Sequence, residues 1–410
     1  MERQELIPHL FRTEFSKITT VLGKLLGIAH LEVAEDITSE TFLLALETWT
    51  FKGIPENPVA WLYSVAKNKA RNQIHRDHLF AEKISLKLQS SPAASEEVEI
   101  DLSEKNIADS QLQMLFAICQ PSIPLEAQIG LSLRILCGFG IDEIANAFLT
   151  NKETINKRLF RAKEKLREEK VKIEFPSGKE IGSRLDAVLI TLYLLFNEGY
   201  YSESKDGILR QELCLEAMRL VHMLLAYEPT NLPSVNALLS LMCFHASRFE
   251  ARKSANGAVI LYQDQNEALW DEELIAKGAW YLHEATKGDR ISRYHIEASI
   301  AWWHTSKADT IEKWTQILQL YNQLLRVEYT PVAALNRTYA LAKVKGNAHA
   351  ITAAEALKLA DNHFYYLLLG VLYSDIDREK ALDNFLKAHS LAKTNADRQT
   401  IQQRIDQLGK

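Results

Sequence analysis

Glycine and proline are scarce in this sequence, 16 and 10 among 410 residues, so few stretches are punctuated by turns. Alternating apolar and polar runs, the mark of half-buried strands, are also nearly absent, which excludes a sandwich or barrel as the main architecture. Cysteine is rarer still. Cys119, Cys137, Cys214 and Cys243 are widely scattered, with no CxxC pair and no Cys/His cluster. That argues against a disulfide framework or a structural metal site and predicts buried free thiols. No apolar run reaches the roughly 20 residues of a membrane-spanning helix. Ala187 to Phe196, the longest, is interrupted by Thr191. The first residues, Met1-Glu2-Arg3-Gln4-Glu5, lack the apolar stretch of a signal peptide, so a cytoplasmic location with no membrane partner is expected.

What the sequence does have is helical periodicity. Nearly every long segment carries apolar residues at i, i+3 and i+4, which predicts an all-α protein. At this length two or three domains are expected. Asn256-Gly257, between Ala251 and Tyr262, is a turn pair suited to a short hairpin. Residues 89–106 are rich in Ser, Pro and acid and read as a flexible acidic linker. A second break falls at Phe175-Pro176-Ser177-Gly178. The expected regions are therefore 1–88, the linker 89–106, 107–172 and 173–410.

In the first region a helix over Leu6 to Gly27 is followed by one over Val33 to Trp49. The second carries Glu32, Glu35, Asp36, Glu40 and Glu47, with Ile37, Phe42, Leu43 and Leu46 available for packing. Asn57-Pro58 then opens another helix, a side-chain acceptor at the cap followed by a ring with preset φ. On it Trp61, Leu62, Val65, Ala66, Ala70 and Ile74 form one stripe, which makes Trp61 a core residue. Lys67, Asn68, Arg71, Asn72, His75 and Arg76 occupy other faces.

The second region reads as a helix-turn-helix. Pro124 to Cys137 forms one helix and Ile141 to Phe148 a short second one. Thr150 and Glu153 form a capping box for a third, running from Lys152 to about Lys172. Ile155, Leu159, Ala162 and Leu166 face its core side. That helix holds nine basic residues against four acidic ones in a chain of net charge −5, the footprint of a nucleic-acid contact. Lys152, Glu153, Thr154, Asn156 and Lys157 lie where base edges are read, and Arg158 and Arg161 where phosphates are gripped.

These segments together resemble a known family. Ala34-Glu35-Asp36-Ile37-Thr38-Ser39-Glu40-Thr41-Phe42, the Asn57-Pro58 helix with Trp61-Leu62, and "DEIA-x-x-F…T-x-x-x-RL-x-RAK-x-KLR" are similar to regions 2 and 4 of extracytoplasmic-function-type sigma factors. Ser39 stands where that family usually has Gln, and Leu149 where it has a turn glycine. Leu192-Tyr193-Leu194-Leu195-Phe196-Asn197-Glu198-Gly199-Tyr200, Leu261 to Gln265 with Trp270-Asp271, and Pro331 to Arg337 resemble the long C-terminal extension of one subgroup.

The resemblance implies that Glu35, Asp36, Ser39, Glu40 and Phe42 meet the beta-prime clamp helices of core RNA polymerase. The second region is expected at the beta flap and the −35 promoter element. The loop Thr50 to Asn57 and the helix face of Lys67, Asn68, Arg71, Asn72, His75 and Arg76 are expected at the −10 element. The linker acids Glu96, Glu97, Glu99 and Asp101 are expected to thread a basic channel. The extension is expected to set activity, through an unidentified regulator, and its removal after about residue 180 to alter transcription. Two rival readings are a helix-turn-helix regulator acting without polymerase and a C-terminal module that senses a small molecule.

Within that extension Leu369-Gly370, Tyr373, Ala381, Phe385 and Ala388 fit the small/large pattern of a tetratricopeptide-like helix pair, with Leu335 to Leu359 a weaker copy. Asn197, Glu198, Tyr200, His245 and His304 are the polar candidates for chemistry. No nucleophile-base spacing, metal-ligand pattern or phosphate loop accompanies them, so no enzyme, cofactor or metal is expected. Trp302, Trp303 and Trp314 read as core aromatics.

Overall fold

The computed structural model describes residues 3–85, 99–148, 150–201, 207–252, 260, 262–392 and 395–408. Every regular element among them is helical and none is a strand, so the protein is all-α. No helix among the described residues is long and apolar enough to cross a membrane. The Asn256-Gly257 turn, Leu149 and residues 86–98 of the linker region lie outside the described residues.

Two compact units divide the chain, Met1–Ser204 with Leu215–Thr230, and Lys205–Cys214 with Asn231–Lys410. The break expected near residue 173 is therefore not the division between compact units. The first unit contains α1 (Arg3–Leu26), α2 (Leu31–Lys52), α3 (Pro58–Ser85), α4 (Glu104–Ile118), α5 (Leu125–Leu131), α6 (Ile141–Ala147), α7 (Lys152–Glu168) and α8 (Ile181–Tyr201). Helix α9 (Gly207–Ala226) belongs to the second unit up to Cys214 and to the first from Leu215 on.

The core of α1 to α3 is built by Phe15, Ile18, Leu22, Ala34, Leu62, Ala66 and Ala70, all without solvent contact. The predicted α3 stripe is thus the buried one, and Trp61 packs edge-on against Trp49 with ring centres 5.3 Å apart. Asn57 caps α3 as expected, its Oδ1 accepting the Ala60 N–H at 3.0 Å.

Past the undescribed stretch, the chain is not a free tether. Ile100 and Leu102 are 3% and 7% exposed in the same core, alternating with the solvent-facing Glu99 and Asp101. Asp101 accepts the Ser103 backbone N–H and hydroxyl, which pull its carboxyl below the usual range. Ser103 in turn caps α4. The expected flexible linker is therefore pinned from residue 99 onward, because two apolar side chains have a core to enter.

The single helix expected over Pro124 to Cys137 is also altered. After α5 the residues Ser132–Leu136 widen into a π-helical turn, and the Cys137 N–H reaches back to the Ser132 carbonyl at 3.2 Å. Gly138 follows at φ 69°, where its missing side chain lets α1 approach: a Cβ there would lie 3.3 Å from the Arg12 carbonyl.

The second unit adds α10 (Pro233–Ala246), α11 (Glu272–Ala285), α12 (Arg293–Trp303), α13 (Ile311–Val327), α14 (Pro331–Lys345), α15 (Asn347–Leu357), α16 (His363–Tyr373), α17 (Arg378–Leu391) and α18 (Asn395–Leu408). The predicted pair at the C-terminus is present. Leu369, Tyr373, Ala381, Phe385 and Ala388 are all buried in one cluster shared by α14 to α18. Gly370 lets α17 close in, since a Cβ there would stand 2.5 Å from the Phe385 ring. Helix pairs of this sort stack because neither helix buries its apolar face alone. Trp314 is in the core, 7% exposed, but Trp302 is 42% exposed and is a surface residue, contrary to expectation. Burial alternates along the end of α12, and Ile300 and Ala301 take the inward places.

Candidate nucleic-acid interface

The basic helix α7 is opened by Asn151, whose Oδ1 accepts the Thr154 N–H at 2.8 Å. The cap is thus one residue later than the expected Thr150, whose N–H is held by the Ala145 carbonyl. The helix also stops at Glu168 rather than near Lys172. Lys170 turns left-handed at φ 51°, and the Val171 N–H closes on the Leu166 carbonyl. Ile155, Leu159, Ala162 and Leu166 face inward, as the spacing predicts.

The opposite face presents Lys152, Glu153, Thr154, Asn156, Lys157 and Arg161 to solvent, with Phe160 56% exposed among them. Arg158 is half-buried, its guanidinium 5.5 Å from the Phe148 ring centre. Lys152 pairs with Asp142 of α6 at 2.6 Å, both side chains largely exposed. Such an exposed pair is weak and is readily exchanged for a phosphate contact. α6 is fixed by Glu143, which reaches back to the Gly140 N–H at 2.7 Å.

On α3, Asn68, Arg71, Asn72, His75 and Arg76 are exposed, Lys67 is half-buried, and Asn57 sits exposed at the helix start. Phe51, in the last turn of α2 just before the loop, is 89% exposed. Sequence patterning did not single it out, since an aromatic at a helix end ordinarily finds a core.

The acidic helix α2 splits its expected contact residues. Asp36 and Glu40 are exposed and Ser39 half-buried. Burial, and then the neighbouring charges of Glu35, Glu40 and Glu32, raise the Asp36 carboxyl above the ordinary range. Glu40 pairs with Lys69 at 2.6 Å. Phe42, by contrast, is 3% exposed and packs edge-on against Phe11, so it supports the helix from beneath.

Glu35 is buried as well. Its Oε1 accepts the Arg134 Nε–H at 3.0 Å and its Oε2 is bonded by Lys163 of α7. Arg134 also reaches the Phe139 carbonyl and lies over the Phe15 ring. Arg12 of α1 stacks on Phe139, 3.9 Å from the ring centre, and pairs with Glu143. Charges from the helix-turn-helix region thus clasp α1 and α2 inside one unit. No local sequence signal announces partners about a hundred residues apart.

Leu43 and Leu46, expected to pack, are 57% and 47% exposed. They border an apolar groove of about 850 Å³ together with Ile7, Pro8, Phe11, Trp49 and Ile54.

The remaining polar candidates lie on α8 and in the second unit. Asn197 and Glu198 are half-buried on α8 beside buried Tyr200, and burial raises the Glu198 carboxyl. His245 and His304 belong to the second unit. All four cysteines are free and buried, and burial pushes Cys119 and Cys243 up to about 12.

Residues 184–286 match a family described as "Family of unknown function (DUF6596)". A relative described as "Uncharacterized protein R00370", from Rhizobium meliloti (strain 1021), is 31% identical over 388 residues, which span 92% of this chain and 90% of its own length. No solved structure matches.

Proposed function

The chain belongs to the same family as the Rhizobium protein, and we propose that it is a cytoplasmic sigma factor with a fused regulatory extension. The domain family matched at residues 184–286 is found in sigma-70-like proteins. The observation that carries the reading is a pairing of two surfaces in one fold. An acid-edged helix and a capped helix-turn-helix with a cationic outer face are packed into the same unit.

In this reading Asp36, Ser39 and Glu40 meet the basic clamp helices of core RNA polymerase, where opposite charge fixes orientation and speeds encounter. Glu35 and Phe42 stand behind that surface and hold it. The loop after α2, residues 53–57 of the expected Thr50 to Asn57 stretch, with Phe51 in the helical turn before it, takes an unstacked base of the −10 element. Arg71, Asn72, His75 and Arg76 follow the adjoining backbone. Lys152, Glu153, Asn156 and Lys157 enter the major groove at the −35 element, and Arg161 grips a phosphate.

Run-off transcription with core polymerase on a genomic fragment library tests the proposal. The full chain is expected to co-purify with core polymerase and to direct defined start sites. Operator binding without polymerase retention would favour a helix-turn-helix regulator instead and sink this reading.

A further inference from the structure

The second unit contains two buried cations to which no carboxylate among the described residues is bonded. Arg248 and Lys313 are 9% and 3% exposed. The Arg248 guanidinium lies 5.6 Å, and the Lys313 ammonium 5.5 Å, from the centre of the Tyr262 ring. Lys313 donates to the Tyr262 hydroxyl at 3.2 Å and to the Ser306 carbonyl. Arg248 meets the His245 ring at 3.2 Å. Among the described residues neither cation bonds a carboxylate. Of the two acids whose charges act on Lys313, Asp309 is engaged by the Trp314 indole and by Lys343 at 2.9 Å, and Glu267 makes no bond to Lys313.

Unsatisfied polar atoms belong to two rings packed on Tyr262 and to Gln265, three residues further along the chain. Trp270 stacks 6.0 Å from Tyr262, and His304 meets it edge-on at 5.0 Å. Trp270 Nε1, His304 Nδ1 and Gln265 Oε1 are buried with no hydrogen-bond partner. Trp270 and Gln265 are themselves 7% and 3% exposed. The Gln265 amide is oriented by its Nε2, which donates to the Ile260 carbonyl, so Oε1 is the end left open. Buried polar groups are ordinarily satisfied, and a cluster of orphans calls for a partner. Buried cations with no carboxylate bonded to them are costlier still.

We propose that Arg248, Tyr262, Gln265, Trp270, His304 and Lys313 form a binding site for a small oxyanion carrying one hydroxyl, hydrogen phosphate or a hydroxycarboxylate. Arg248, Lys313, the Trp270 indole and the His304 Nδ1–H are donors, which selects an acceptor-rich ligand. Gln265 Oε1 is the single acceptor and takes the ligand's O–H. Burial, then Arg248 and Lys313, hold His304 down at about 3, so its ring is neutral in the fold. Burial likewise lowers Lys313, against the opposing charges of Asp309 and Glu267. A trapped water would satisfy the orphan atoms but would leave both cations without a bonded anion. Tyr262, Gln265 and Trp270 come from the stretch singled out in the sequence for which the promoter-directed reading has no use. The site does not depend on that reading.

The test is titration of the full chain with inorganic phosphate and, separately, malate, at matched ionic strength with chloride as control, by calorimetry and tryptophan fluorescence. At least one is expected to bind saturably, one to one, with a Kd of about 1 mM or tighter, while chloride gives no signal. Whichever binds tighter identifies the source of the oxyanion. Trp270→Phe keeps a ring and Gln265→Leu keeps bulk, and each is expected to weaken binding about tenfold. Melting curves and circular dichroism establish that the variants are folded, and either variant alone suffices. Absence of saturable binding of both anions up to about 20 mM, or undiminished affinity in the folded variants, overturns the proposal.

Discussion

Replacing Glu35 by glutamine keeps the shape of the side chain and removes its charge from between Arg134 and Lys163. The three side chains are 8%, 18% and 13% exposed, so water screens them only partly. A pair at about 4 Å in an effective dielectric of about 20 attracts by roughly 4 kcal/mol before desolvation. Desolvation offsets much of that in the intact cluster, but the variant retains two buried cations facing a neutral amide. The net loss is expected at about 2–4 kcal/mol, in the range for stripping one partner from a buried pair. With a slope of about 2 kcal/mol per molar urea, the midpoint of the first unit falls by roughly 1–2 M. Hydrogen exchange resolved by peptide identifies the unit, since α2 and α7 should lose protection together. Adding Lys163→Met to the variant removes one stranded charge and is expected to recover part of the loss. A shift below about 0.5 kcal/mol, or strict additivity of the two changes, would refute the reasoning.

Gly370→Ala places a methyl 2.5 Å from the buried Phe385 ring and should destabilise the second unit by about 1–3 kcal/mol in thermal or urea unfolding, with Phe385→Leu partly restoring it. Phe51→Ala is expected to weaken binding of single-stranded −10 DNA by about 1–3 kcal/mol, measured with holoenzyme and fluorescent oligonucleotide, with no change in melting because that ring is 89% exposed. On duplex −35 DNA, Arg161→Ala should lower the salt slope by about one while Lys157→Ala relaxes sequence preference, and identical footprints and slopes would count against both roles. His304 is held neutral in the fold at about 3 against an ordinary value of 6.5. Unfolding then takes up a proton below pH about 6.5, so stability falls as pH drops from there toward 3, and His304→Gln should flatten that slope in pH-dependent urea unfolding.

Much of the fold was legible because its determinants are local. The Asn57-Pro58 start, the inward spacing of Ile155, Leu159, Ala162 and Leu166, and the Leu369 to Ala388 pair each need only neighbours in sequence. Local competition explains the nearer misses. Asn151 and Thr150 both cap well, and the Ala145 carbonyl decides between them by holding the Thr150 N–H. The π turn at Ser132–Leu136 is invisible because every residue there is compatible with an ordinary helix. The candidate site was legible only where side chains face solvent. Asp36, Glu40, Asn156 and Lys157 are where patterning put them. Glu35 is not, because Arg134 and Lys163 reach it across about a hundred residues, and charge patterning along one helix carries no trace of such partners.

Helix α8 does more than follow the helix-turn-helix. Thr191 donates to Gln128 at 2.8 Å, and Gln128 also secures the Gln120 and Ile123 carbonyls, so one amide ties α8 to the start of α5. Arg184 holds the Phe116 carbonyl, Arg219 holds that of Leu136 at 2.7 Å, and Phe175 stacks on Tyr227 with ring centres 4.4 Å apart. An amputation near residue 180 would therefore strip these ties from the N-terminal half, along with the Thr191 hydroxyl that meets the buried Cys119 thiol. Loss of output from so short a fragment would report collapse rather than lifted control. A piece ending at Thr230 retains every residue of the first compact unit.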